Sequence, residues 1–406
     1  MIRTPLSTVV GGAFWTPEST VVGGTRPSFE TVVKKLFANN EQGFFYDPND
    51  LSTMFQDAAG TIPVTAAGQP VGLMLDKSKG VVIGSEKVVN PDFDSDTAWV
   101  KGANATISNG SAIFNGATGN PVLSQNVGIT AGKWYEVTVN VAEATAGVIT
   151  LRIYGTGGND TIFSISSAGI YKAMTRARSD ATGLIGFSAL LTSVKLSSVS
   201  VKELAGNHAY QTTSASRPIL RKNAVTGAYY LEFDGTDDFL QTGTIDFTGT
   251  DKMTVWAGVT KLSDAAQGTV AELSVISTSN PGTFVIFAPP GVGTNTIQFR
   301  AGGTSVAIVT GTAFSPVTQT LTGISNIAAP SMALRINGAV AQTTVNTQGT
   351  GNFGNYPLFI GRRGGTSLPF NGHLYSLIGI GRLSTASEIA AIEKELAKRT
   401  GVSLNV

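Results

Sequence analysis

The chain has 406 residues, a formal net charge of +1, 14% charged residues, 48 glycines and no cysteine. The near-neutral balance, with no basic run, excludes the electrostatic footprint of a nucleic-acid or anionic-membrane binder, and the missing cysteines exclude disulfides and thiolate metal sites. Val, Thr, Ser and Ile recur in short segments punctuated by Gly, Asn and Asp, which is the pattern of an all-β protein long enough for two or three domains.

No run approaches the ~18 apolar residues of a membrane-spanning helix. The N-terminus carries Arg3 but no apolar segment of the kind that directs export. The expectation is a soluble chain with no membrane insertion and no export address.

Residues 1–43 read as an N-terminal arm. "STVVGG" occurs at 7–12 and again at 19–24, and Pro5, Pro17 and Pro27 interrupt any continuous element. A repeat this short builds no solenoid, whose units need about 20 residues. Two readings stay open. The arm docks on a partner, with Val9, Val10, Val21 and Val22 adding strands to a foreign sheet edge and Phe14 and Trp15 filling a pocket; or it is a tail packed on its own domain or left without order. The Phe-Trp pair favours a partner, since such rings sit badly in water. In "FETVVKKLF" (29–37), Phe29, Val32, Val33 and Leu36 fall at helical spacing behind Ser28, a suitable N-cap, so one short helix is predicted.

From residue 46 the text runs as strands and turns up to "LMLDKSKG" (73–80) and then changes character. Residues 83–204 read as a separate unit. Asn109-Gly110 is a hairpin signal. In "KWYEVTVNV" (133–141), Tyr135, Val137, Val139 and Val141 share one strand face, while Trp134, Glu136, Thr138 and Asn140 share the other. In the next strand Ile149, Leu151 and Ile153 point to the core, and Thr150, Arg152 and Tyr154 point outward. Trp99 is expected in the core.

"NPDFDSDTAWV", "GKWYEVTVNV" and "SSVSVKEL" together resemble a carbohydrate-binding β-sandwich of the jelly-roll type. Such modules stack aromatic rings on the apolar face of a sugar and hydrogen-bond its hydroxyls. The resemblance therefore implies a sugar platform at Trp134 and Tyr154 beside Arg152 and Glu136. A protein contact or an edge shield at the same two rings is the competing reading.

With 83–204 set aside, residues 44–82 run directly into 205–406. The joined "LDKSKG", "GNHAYQ" and "SASRP", then "YYLEFDGTDDFLQTG" (229–243) and the C-terminal "LFIGRRGG…ELAKRTGV", resemble the concanavalin A-like, laminin-G-like domains of bacteriophage virion proteins. The fold implied is two β-sandwiches, the larger interrupted by the smaller, with residues 80 and 206 close in space because whole-domain insertions enter at loop tips. Asn337-Gly338 is a second hairpin signal. Thr385 with Glu388 forms a capping box for a C-terminal helix whose buried stripe is Ile389, Ile392 and Leu396, ended by Gly401. "GRRGG" (361–365) reads as a tight hairpin with exposed arginines.

Catalysis finds little support. Glu232 and Asp234 are two apart on one strand, but a retaining glycosidase needs its second carboxyl about 5–5.5 Å away across the scissile bond, and Gly235-Thr236 turns off before Asp237. His208 and His373 have no nucleophile motif near them and read as structural. No cofactor is expected, although Asp234, Asp237 and Asp238 supply the hard oxygen donors of a calcium site, or else cap a turn. What the resemblance implies is a phage fibre, spike or decoration protein on the virion surface, made in the bacterial cytoplasm. Its arm would bind other virion proteins, its sandwiches host cell-surface polysaccharide, and homotrimers are usual in such fibres. A decoration protein without sugar binding is the alternative, and a glycan depolymerase a weaker one.

Overall fold

The computed structural model describes residues 28–405, so the arm residues Val9, Val10, Phe14, Trp15, Val21 and Val22 lie outside the described part. The described chain is all-β apart from two α-helices and short 3₁₀ turns. No described helix is long and apolar enough to cross a membrane.

Two antiparallel sheets form the larger sandwich. One runs in the order 219–222, 229–234, 371–380, 252–261, 317–326, 331–336 and 339–344, with Gly43–Tyr46 pairing the far half of Asn371–Ile380. The other runs 54–55, 73–74, 209–210, 240–246, 355–360, 269–273, 283–287, 296–302 and 307–312. Between them lies the main core, which includes Phe44, Phe233, Phe284, Phe299 and Leu377. Face-to-face sheets of this kind interdigitate alternate side chains across the gap. At the Asn337-Gly338 turn both residues hold positive φ (50° and 84°), as a type I′ hairpin requires.

Both helices lie on the outer face of the first sheet. Ser28 caps Phe29–Lys34 by accepting a hydrogen bond from the Thr31 N–H. Ala386–Thr400 starts at a complete Thr385–Glu388 capping box and stops at Gly401 with φ 78°. Phe29, Val33, Leu36, Trp256, Ile378, Ile389, Ile392 and Leu396 close into one apolar cluster under these helices. Helical spacing in the sequence predicts both stripes, because a helix this short is stable only through the face it buries.

Strands drawn from 83–204 build the smaller sandwich. Two long strands, Ser111–Asn126 and Ala181–Leu204, pass through both of its layers. The first half of Ala181–Leu204 pairs Ile149–Gly155 and the distal half of Ser111–Asn126; its second half pairs Trp134–Ala146 and the proximal half. The core between the layers holds Phe93, Trp99, Phe114, Tyr135, Val137, Val139, Leu151, Ile153 and Phe187, which matches the alternation read from the sequence.

The two sandwiches meet at a polar knot and an apolar patch. Leu73–Met74 pairs Ala209–Tyr210, so the chain on either side of the 83–204 segment lies hydrogen-bonded in one sheet. Buried Asp76 accepts from the N–H groups of Phe45 (2.9 Å), Ser78 (2.8 Å) and Asn207 (2.8 Å). Beside it Leu73 and Leu75 pack on Trp134, Met174 and Leu204, and Met174 N–H donates to Ala59 O at 2.7 Å. Gly206, at φ 135°, is required here, because a Cβ on it would come within 2.8 Å of the His208 ring. Gly80 and Gly206 line the same cavity.

Candidate functional site

The four residues proposed as a sugar platform do not assemble. Trp134 and Glu136 lie on Trp134–Ala146 in one layer of the smaller sandwich; Arg152 and Tyr154 lie on Ile149–Gly155 in the other. Trp134 is only 4% exposed. Its ring stands edge-on to His208 and Tyr210, both 5.5 Å away between centroids. The alternation correctly turns Trp134 away from the core of its own sandwich, but the larger sandwich covers that face. Glu136 is paired with Lys172 at 2.8 Å. Tyr154 is buried too, and its hydroxyl bonds Asn120 Oδ1 (2.6 Å) and Ser188 Oγ (3.0 Å). It serves as a brace and presents no ring face for stacking.

Arg152 is different. It opens into a shallow groove of about 260 Å³ lined by Gly119, Asn120, Thr150, Ser188 and Leu190, with Val148 at the edge. Opposite Arg152 in the ladder stands Gly186, over which the Tyr154 ring and Pro121 pack. Its Nε is buried with no hydrogen-bond partner. Among the described arginines it alone makes neither a hydrogen bond nor an ion pair; the nearby Arg178, for comparison, is held by Asp160 and Asp180. Ser188 Oγ donates to Asn120 Oδ1 at 2.6 Å. With Tyr154 on the same oxygen, the Asn120 amide is fixed so that its NH₂ faces away from the protein acceptors.

The groove's rim is apolar. Val148 is 46% exposed, Leu190 70% and Leu191 71%. The two leucines sit where the ladder slips register between Ala189 and Thr192, and Leu191 holds φ 47°. A left-handed conformation strains a residue of this bulk. The kink is pinned by its surroundings: Thr118 Oγ1 accepts from Leu191 N–H (3.0 Å), and buried Thr192 donates to Val148 O (3.1 Å). No sequence signal marks these leucines, because "SALLTSV" reads as an ordinary buried strand until the bulge turns two side chains outward.

The acidic turn is compact. Oxygens of Asp234, Asp237 and Asp238 lie within 4.8 Å of one another. Asp234 caps the turn by accepting from Thr236 N–H (2.7 Å), Asp237 takes a bond from Ser216 Oγ (2.6 Å), and Asp238 accepts from Asp234 N–H (3.1 Å). Burial, aided by the charge of Asp234, pushes the Asp238 carboxyl up to about 7. Their donor chemistry suits a hard cation, and every one of these carboxylates is already engaged in holding the turn. Glu232 is bound by Arg221 at 3.0 Å, and His373 stacks on Tyr230 at 4.2 Å. His208 is fully buried and burial lowers it to about 3, so its ring is neutral, with Nδ1 accepting from Asp76 N–H. The arginines of "GRRGG" are not exposed as the sequence suggests: Arg363 reaches inward to the buried Glu272 at 2.8 Å, since a buried carboxylate needs a paired charge.

No family model matches the chain, and no curated protein matches it. Among solved structures, it is similar to CBM40 of the Ruminococcus gnavus IT-sialidase, at 13% identity and TM-score 0.30, over 38% of this chain and 97% of that one. The same module has been solved bound to alpha2,3 sialyllactose. A second likeness is to the botulinum neurotoxin serotype D binding domain, at 10% identity and TM-score 0.34, over 45% of this chain; there the chain spans about half (48%) of its match. Likenesses at these scores carry no argument about what this chain binds.

Proposed function

We propose that this protein is an adhesin that holds a glycan in the groove at Asn120, Thr150, Arg152 and Ser188. One observation carries the reading: Arg152, the Thr150 hydroxyl and the Asn120 NH₂, which have no partner among the described residues, line a groove with exposed Val148 and Leu190 at its rim. A sugar ring has the matching surface, with hydroxyls at its edge and C–H groups on its face. In this reading the chain is a phage virion protein, attached through its N-terminal arm, residues 1–43, and presenting its sandwiches outward as a homotrimer. The support for that part is the order of the "LDKSKG", "GNHAYQ" and "FDGTDD" motifs.

Binding of the full chain to immobilised bacterial surface polysaccharides tests the reading. Asn120→Ala and Leu190→Ser are expected to weaken retention about tenfold each, the effect of losing one hydrogen-bonding or one packing contact. Retention unchanged in both variants sinks it. A decoration protein without sugar binding is the second reading, and the burial of Trp134 between the sandwiches favours it, since that ring serves protein packing. Absence of retention on any polysaccharide would leave this second reading standing.

A further inference from the structure

We infer that the groove takes an acidic sugar and that Arg152 meets the sugar's carboxylate end-on. The inference rests on the groove being the glycan site and adds the chemical class of the ligand. Its starting point is charge. Arg152 is the one charged side chain lining the groove, and no carboxylate among the described residues pairs with it, whereas Arg178 has two, Asp160 and Asp180. An unpaired guanidinium with a buried, unbonded Nε is costly to keep, because that N–H has lost water and gained nothing. An arriving anion offsets the unpaired charge through the terminal nitrogens.

Geometry narrows the anion. With Nε covered, only the two terminal nitrogens reach the groove, side by side in the guanidinium plane. A carboxylate lies in that plane and accepts one bond from each. Around it, Thr150 and the Asn120 NH₂ offer neutral partners for hydroxyls, and Val148 and Leu190 offer an apolar wall for the ring face. No lysine lines the groove to hold a second charge. The predicted ligand is therefore a singly charged sugar such as a uronic or a sialic acid, with its carboxylate on the terminal nitrogens of Arg152 and its ring against Leu190.

The full chain is titrated with two pairs of probes: oligogalacturonides and their carboxyl-reduced forms, and sialyllactose and its carboxyl-reduced form. The expected result is binding of at least one acidic member, with its reduced partner about 10- to 100-fold weaker, the span of a charge-assisted pair. Arg152→Gln should lower affinity for the acidic member to that of the reduced one, and Arg152→Lys should restore only part, since an ammonium lacks the planar fork. Equal affinity for an acidic probe and its reduced form, both lost in Leu190→Ser, overturns the carboxylate while the groove stands. Retention on neutral polysaccharides alone overturns it in the same way. No binding of any sugar by the wild type overturns both. Because the reduced probes leave the protein untouched, a misfolded variant cannot mimic the outcome.

Discussion

The N–H of Asp76 donates to Nδ1 of His208 at 2.9 Å, tying together two fully buried residues 132 positions apart. The chain leaves the larger sandwich just after the first and returns to it just before the second. Protonating His208 removes the acceptor and puts a charge where no water reaches. Its folded pKa of about 3 lies below the ordinary 6.5, so the unfolded chain binds the extra proton first. Stability from this group is full above about 6.5 and is lost progressively as pH falls toward 3. Between pH 7 and 4 the melting temperature of His208→Gln should gain on that of the wild type as the pH falls. A wild-type chain and variant with parallel profiles would reject the assignment.

Asp238 acts in the opposite sense. Its folded pKa, about 7, lies above the ordinary 3.8, so the folded chain holds the proton longer and stability falls as pH rises from about 4 through 7. Asp76, raised by burial, contributes with the same sign. Asp238→Asn mimics the protonated form and still accepts from Asp234 N–H. It should raise the melting temperature at pH 8, leave it nearly unchanged at pH 5, and expose the His208 slope that the wild type partly cancels. Comparing the two variants' profiles with that of the double variant checks this.

Trp134 fixes the sandwiches to each other. Trp134→Ala should cost about 3–5 kcal/mol, the usual effect of truncating a buried ring, and should split one calorimetric transition into two as the joint loosens. A single transition shifted by less than a degree would mean the ring is not what couples them.

Helix Ala386–Thr400 depends on a buried carboxylate. Glu393, 1% exposed, accepts from Arg335 (2.8 and 3.0 Å) and Thr322 (2.8 Å). Glu393→Ala leaves Arg335 without its partner and should cost about 3 kcal/mol or more. Thr385→Ala, which removes only the cap, should cost about 1 kcal/mol. Hydrogen exchange along 386–400 should rise far more in the first variant than in the second.

Local pattern reveals some of this and withholds the rest for a physical reason. Capping boxes, Asn-Gly turns and two-residue alternation act within a few residues, so the helices, both hairpins and the core face at Tyr135–Val141 are readable from the chain alone. Alternation says which side of a strand leaves its own core and nothing about what then covers it. Trp134 and Arg152 look alike on that test, yet Met174 and Tyr210 close over the first, while the second lines an open groove. Tyr154 takes its role from Asn120 and Ser188, each 34 positions away. Leu190 and Leu191 reach water only because the register slips beside them, and a register is a property of two strands.

The strand Ala181–Leu204 passes the groove at Ser188 and Leu190 and ends at the joint, where Leu204 packs on Leu73. A pull on anything held at Leu190 enters at the bulge, where residues 190 and 191 have no ladder partner, and passes along the paired residues 193–204 into Asn207 and the strand Ala209–Tyr210. Loaded this way the bonds must fail together in shear and cannot open one after another like a zip. The arrangement is that of a tether stiff along its working direction.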